Sequence, residues 1–299
     1  MRPYKPLTPG CRVALVAPSG PLKDGDLDRA VANVHTLGWE PWIGTYAEAQ
    51  EDYFAGPDNL RIADLNNALH DDDIDAIWCL RGGYGAMRLI DQVDYDALKR
   101  RPKAIIGFSD ITALHCAIGL RADLWTIHGP TARGKLTPFS EKSLRAAAYR
   151  DAQPAGNAPN ARTLVAGRAR GRLTGGNLSL LSALHGTPFQ PDYDGAILVL
   201  EDVNEAPYRI ERMLLQLKLS GDLQKCAGIA FGQFTDPAED ASLGGIRSIE
   251  AVLVEAARWA GVPAIAGIPV GHIDEQWSLP MGADAELDAD ARSLTIKAL

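Results

Sequence analysis

Only four cysteines, at positions 11, 79, 116 and 226, occur in the 299 residues, and no two of them form a C-x-x-C pair. That excludes a small disulfide scaffold and suits a reducing compartment, where they read as small core residues. A basic surplus is also missing. Thirty Lys and Arg against 38 Asp and Glu leave a formal net charge of -8, so nucleic acid is not an expected partner. No apolar run approaches the roughly 20 residues of a membrane span. The opening "MRPYKPLTPGCRVALVAP" has prolines where a signal peptide needs an unbroken apolar stretch, so a cytoplasmic protein with no membrane partner is expected. No segment repeats, and no H-x-x-x-H, H-E-x-x-H or Cys/His cluster occurs, so no metal and no cofactor are expected.

What is present is alternation. "RVALVAP" (12–18), "PWIGTY" (41–46), "DAIWCLRG" (75–82), "AIIGFS" (104–109) and "LWTIHGP" (124–130) are short β-rich runs bounded by Gly, Pro and Asp. Between them "DLDRAVANVHTLG", "NLRIADLNNALHD" and "DITALHCAIGLRA" carry apolar residues at spacings of three and four, as amphipathic helices do. Such alternation predicts a mostly parallel sheet covered by helices. The strand pattern then lapses, and "QPAGNAPNA" (153–161) has a linker's composition. Strands resume in "GAILVLEDV" and "AGIAFGQF". Helices "YRIERMLLQLKLSG" and "SIEAVLVEAARWAG" end at Gly221 and Gly261, and "AELDADARSLTIK" closes the series as an alternating pair. The expected fold is therefore two-domain α/β. A mostly parallel layered N-terminal domain (1–137) and a linker (138–163) precede a smaller C-terminal α/β domain (164–299).

One corner carries chemistry. In "AIIGFSDITALHC" an apolar strand ends at Ser109 and passes at once into a helix, which sets a hydroxyl beside unpaired helix N-terminal amides. Gly107 leaves room for a tight turn, but Ile111 stands where the G-x-S-x-G elbow has its second glycine. Ser109 or Asp110 as a plain helix cap is the competing account. A serine nucleophile needs a base and a group to orient it. Of the histidines at 35, 70, 115, 128, 185 and 272, His128 and His272 follow apolar strands and precede turns, where sites lie. Glu201 or Asp202, ending the run "AILVLED", is the candidate orienting acid. "GGYG" lacks nucleotide-binding spacing and reads as a tight connection. The arginines of "EAPYRIERMLLQL", Arg209 and Arg212, offer bidentate partners for a substrate carboxylate, with surface ion pairing the expected role of Arg212.

Taken together, seven blocks resemble the LD-carboxypeptidase family of serine peptidases, which includes the microcin immunity peptidases. They run in order from "VALVAPSGP", "CLRGGYGAMRLID" and "IIGFSDITALH" through "IHGP" and "GRLTGGNLSLLSALHGTPFQPD" to "ILVLEDVNEAPYRIERMLLQLKLSG" and "GIPVGHIDEQWSLPMGADAELD". The resemblance implies a Ser109, His272 and Glu201 triad, with oxyanion donors at the amide of Asp110 and in the turn at Gly82 and Gly83. It further implies a murein peptide substrate cleaved at the meso-diaminopimelate–D-alanine bond, a role in peptidoglycan recycling, and a homodimer. Two other functions stay open: immunity-type cleavage of aminoacyl-nucleotides, and non-catalytic binding of a small ligand. The absence of tryptophan from 181–192 favours the carboxypeptidase branch, while Trp277, close after His272, weighs the other way.

Overall fold

The computed structural model describes residues 1–237 and 247–297. By contacts the chain divides into two units, Met1–Pro154 with Trp277–Gly282, and Ala155–Gln276 with the chain from Ala283.

In the first unit β1 (Arg12–Val16), β2 (Glu40–Ile43), β3 (Ala76–Cys79), β4 (Ala104–Gly107) and β5 (Thr126–His128) are all parallel. β3 and β4 are buried at every residue, the signature of strands covered on both faces. The covering helices are α1 (Asp26–Thr36), α2 (Asp58–His70), α3 (Tyr95–Arg100), α4 (Thr112–Ala122) and α5 (Pro138–Tyr149). Helix α5 lies inside the expected linker. Thr137 accepts a hydrogen bond from the Ser140 amide, Pro138 occupies the first turn, and Leu144, Ala146, Ala147 and Ala148 are buried.

The second unit contains β6 (Arg162–Val165), β7 (Arg168–Asn177), α6 (Leu178–Leu184), β8 (Ile197–Val203), α7 (Pro207–Leu219), α8 (Asp222–Lys225), β9 (Gly228–Thr235), α9 (Ile249–Ala260) and β10 (Ala264–Ala266). After β10 the chain contributes β11 (Leu279–Met281) to the first sheet, antiparallel to β5, although 277–282 was expected in the C-terminal domain. β11 has three residues, and its central Pro280 is tolerated because the strand lies at the sheet edge, so its sequence carries no strand pattern. β12 (Asp284–Asp288) and β13 (Ser293–Ile296) return to the second unit as the expected antiparallel pair. Its sheet runs β13-β12-β7-β8-β9-β10-β6, with β7 to β10 parallel. No helix among the described residues is long and apolar enough to cross a membrane.

The first sheet has the order β11-β5-β4-β3-β1-β2. The chain leaving β1 and the chain leaving β3 therefore part at adjacent carboxyl ends, where doubly wound sheets form their crevices.

Candidate active site

Ser109 follows β4 after Phe108 and begins a single 3-10 turn, Ser109–Ile111, that leads into α4. Its φ of 64° is in the left-handed region, a strained conformation for a residue with a Cβ and one that recurs at functional corners. Ile111, in place of a second glycine, packs on Gly107, where an added Cβ would lie 3.0 Å from its Cγ1.

Three loops meet at this corner. The Gly20 amide donates to the Gly82 carbonyl at 3.1 Å. Gly82 presses against the serine so closely that a Cβ there would stand 2.9 Å from Ser109 Cβ and 3.2 Å from its Oγ. Asp110, almost fully buried, accepts from Ser19 Oγ at 2.6 Å and from the Ala86 amide at 2.8 Å. Its carboxyl is pushed up by burial, which those two hydrogen bonds and the Arg61 charge oppose. Asp110 thus ties the loop after β1 and the glycine turn after β3 to the serine. Arg61 joins the same two loops, donating to the carbonyls of Pro18 and Gly85, and also to that of Gly56 ahead of α2. Neither Ser19 nor Arg61 was singled out by sequence, although Ser19 stands in the quoted "VALVAPSGP" block.

His115 is a core residue. Its Nε2–H donates to the Gly107 carbonyl at 2.8 Å, and burial lowers its pKa to about 4. Because the folded value lies below the ordinary 6.5, the unfolded chain takes up the proton first. Stability present above pH 6.5 is therefore lost as pH falls toward 4. Between pH 7 and 4.5, urea unfolding should show the wild type losing roughly 2 to 3 kcal/mol more than His115→Gln. Equal losses would remove His115 as the cause. His128, the other histidine at a strand end, is fully buried beside Phe108 and His115, with ring centroids 6.1 Å away in both cases.

The acid and the remaining histidine meet in the second unit. Glu201 Oε2 lies 2.8 Å from His272 Nδ1. The carboxylate is 0% exposed and the imidazole partly exposed. Two local irregularities allow this. The β8–β9 register shifts between Leu200 and Asp202, a bulge-type device that re-aims side chains. Gly271, at φ 125°, passes so near that a Cβ would lie 3.0 Å from Glu201 Oε2. Asn177, opposite Glu201 on β7, donates to Glu201 Oε1 at 3.3 Å and to Asp202 Oδ1 at 3.0 Å, while its own Oδ1 caps α6. Asp202 accepts from the Ser179 amide and hydroxyl and so serves the α6 N-terminus, leaving Glu201 as the acid at the histidine. Burial pushes the Glu201 carboxyl up, and the hydrogen bond and charge of His272 oppose it.

An ionised carboxylate only accepts, so Nδ1 carries the proton of a neutral His272 and Nε2 is left as the basic nitrogen. A base held in one tautomer by a buried acid, and a strained serine beside a glycine turn and a helix N-terminus, are the kinds of group that nucleophilic catalysis requires. Glu201 and His272 belong to one unit, and Ser109, Asp110, Gly82 and Gly83 to the other. Arg209 pairs with Glu205 and Arg212 lies over the Tyr208 ring, while Trp277 is buried.

Sequence comparison matches residues 13–129 to the LD-carboxypeptidase N-terminal domain and residues 170–287 to the LD-carboxypeptidase C-terminal domain. A probable murein peptide carboxypeptidase of Bacillus subtilis is 36% identical over 99% of this chain and 95% of its own. The crystal structure of a muramoyltetrapeptide carboxypeptidase from Oxalobacter formigenes is 30% identical, covers 95% of this chain and 97% of its own, and superposes with a TM-score of 0.81. The microcin C7 self immunity protein MccF, 24% identical over 99% of this chain and 98% of its own, shares the fold with a TM-score of 0.89. The chain belongs to the LD-carboxypeptidase family and is a serine-type LD-carboxypeptidase.

Proposed function

We propose that this protein removes the terminal D-alanine from murein tetrapeptides, cleaving its amide to the L-centre of meso-diaminopimelate, in cytoplasmic recycling of the cell wall. The hydrogen bond between buried Glu201 and His272 Nδ1 is the observation that carries the chemistry, because it leaves Nε2 ready to accept a proton. The substrate is inferred from the murein peptide and muramoyltetrapeptide carboxypeptidases to which the chain is similar.

In this reading His272 Nε2 takes the Ser109 proton as Oγ attacks the scissile carbonyl, and Glu201 stabilises the imidazolium. His272 returns the proton to the departing D-alanine nitrogen as the C–N bond breaks. Water, deprotonated by the same histidine, then releases the tripeptide from the acyl-enzyme. The amide of Asp110 and one from Gly82 or Gly83 receive the oxyanion. Each such donor is worth about 3 kcal/mol. The close approach of Gly82 to Ser109 supports that assignment. A homodimer belongs to the same reading, and sedimentation equilibrium measures it.

The test is mass spectrometry of L-Ala-γ-D-Glu-meso-diaminopimelate-D-Ala incubated with purified protein. Loss of one alanine is expected. An intact tetrapeptide alongside cleavage of an aminoacyl sulfamoyl-adenosine would replace this function with the immunity-type activity. Binding without cleavage of either would leave a ligand-binding protein.

A further inference from the structure

A carboxypeptidase must distinguish a chain end from a chain interior, and the feature that differs is a free carboxylate. The arginines that sequence offered for it, Arg209 and Arg212, are engaged by Glu205 and Tyr208. A different arginine adjoins the glycine turn at the serine, with its guanidinium against Gly20 and Gly83. Arg81 immediately precedes Gly82, the residue pressed against Ser109. It is half-buried, and its Nε and Cζ lie 3.6 Å from where a Gly20 Cβ would be. Its Nη1 donates to the Pro21 carbonyl at 2.5 Å, the one hydrogen bond its side chain makes among the described residues.

Arg81 is also short of negative charge. Asp26 is the carboxylate whose charge supports it, and both Asp26 oxygens are already in use. Arg29 donates to Oδ1 at 3.2 Å, Arg133 to Oδ2 at 3.3 Å and the Lys23 amide to Oδ2 at 3.0 Å. Three guanidinium groups thus share one carboxylate in a protein whose net charge is -8. Partial burial, with Arg133 adding to it and Asp26 opposing it, holds the Arg81 guanidinium below its ordinary pKa. A planar fork with unused donors fits a carboxylate bidentately.

The spacing agrees. In a terminal residue the carboxylate follows the scissile nitrogen by one Cα, so it lies within about one residue length, roughly 3.8 Å, of the bond attacked. Arg81 directly precedes the glycine that touches the nucleophile, so its side chain leaves the backbone at the serine corner.

We propose that Arg81 receives the α-carboxylate of the departing D-alanine and so restricts the enzyme to chain ends. This rests on the carboxypeptidase reading above and adds to it the residue that selects the substrate terminus. The experiment compares kcat/KM for the tetrapeptide and for the same peptide carrying a C-terminal carboxamide. Wild type should prefer the acid by about 100-fold, the scale of a lost charge-assisted bidentate pair. Arg81→Gln should bring the acid-to-amide ratio near 1, chiefly through KM for the acid. Arg81→Lys, which keeps the charge and loses the fork, should retain a preference of about 10-fold. Arg81→Gln slowing both substrates equally would mean that the side chain only shapes the glycine turn, and the inference would be wrong. An unchanged ratio would overturn it as well. Wild type inactive on the acid would instead remove the carboxypeptidase reading and this inference with it, so the two failures differ.

Discussion

Ser109→Ala should lower kcat on the tetrapeptide by at least about 10⁴-fold while leaving the protein folded, because removal of the nucleophile in a serine triad leaves only binding and oxyanion stabilisation. The structural side of this expectation comes from the corner itself. Ser109 adopts φ 64°, and alanine meets the same backbone strain there as serine, so the substitution neither relieves nor adds to it. Other residues also hold the corner: Asp110 binds Ser19 and Ala86, and Arg61 binds the carbonyls of Pro18 and Gly85. Stability should change by less than about 1 kcal/mol. Rapid-quench mass spectrometry gives the rate, and thermal unfolding gives the stability. Retention of near-wild-type turnover by a folded variant would displace Ser109 as nucleophile. A variant that unfolds would show that the hydroxyl holds the corner, and Ser109→Gly would then separate the two roles.

Glu201→Gln should cost about 10³- to 10⁴-fold in kcat with little change in size or shape. Asn177 Nδ2 donates to Oε1, so a glutamine at 201 is held with its carbonyl toward Asn177 and its amide nitrogen toward His272. That nitrogen donates, so Nδ1 must become the acceptor and the ring proton moves to Nε2, the nitrogen required as base. Nitrogen NMR of His272 should show the tautomer reversed in the variant, alongside the lost activity. Turnover within tenfold of wild type would mean that Glu201 is not the orienting acid. Full loss with an unchanged tautomer would assign its contribution to stabilising the imidazolium charge.

Legibility of the fold followed the range of the interactions. β1, β3 and β4 announce themselves because burial on both faces demands unbroken apolar runs. Gly221 and Gly261 mark helix ends because each takes a positive φ that other residues avoid. Helix α5 was lost in an expected linker although its start, Thr137-Pro138 with Ser140, is a recognisable cap. The nearby Pro, Gly and Asn residues outweighed it. Asn177 had a signal as well, since it precedes the apolar run "NLSLLSALH" as caps do, but nothing local reveals that its amide also reaches Glu201.

From sequence alone come the alternating α/β organisation, the serine at a strand-to-helix corner and a histidine behind a glycine after an apolar strand. Each is a local pattern, set by backbone conformation and by which faces must leave water. Tertiary structure decided that Glu201 rather than Asp202 meets a histidine 71 positions away, that Asp110 binds a serine 91 positions earlier, and that Leu279–Met281 joins the first sheet. It also decided that the residue after Arg81, Gly82, presses on Ser109, and that Arg209 pairs with Glu205. Such pairings depend on strand order and register, which bring distant residues to adjacent strand ends and which no short stretch of sequence specifies.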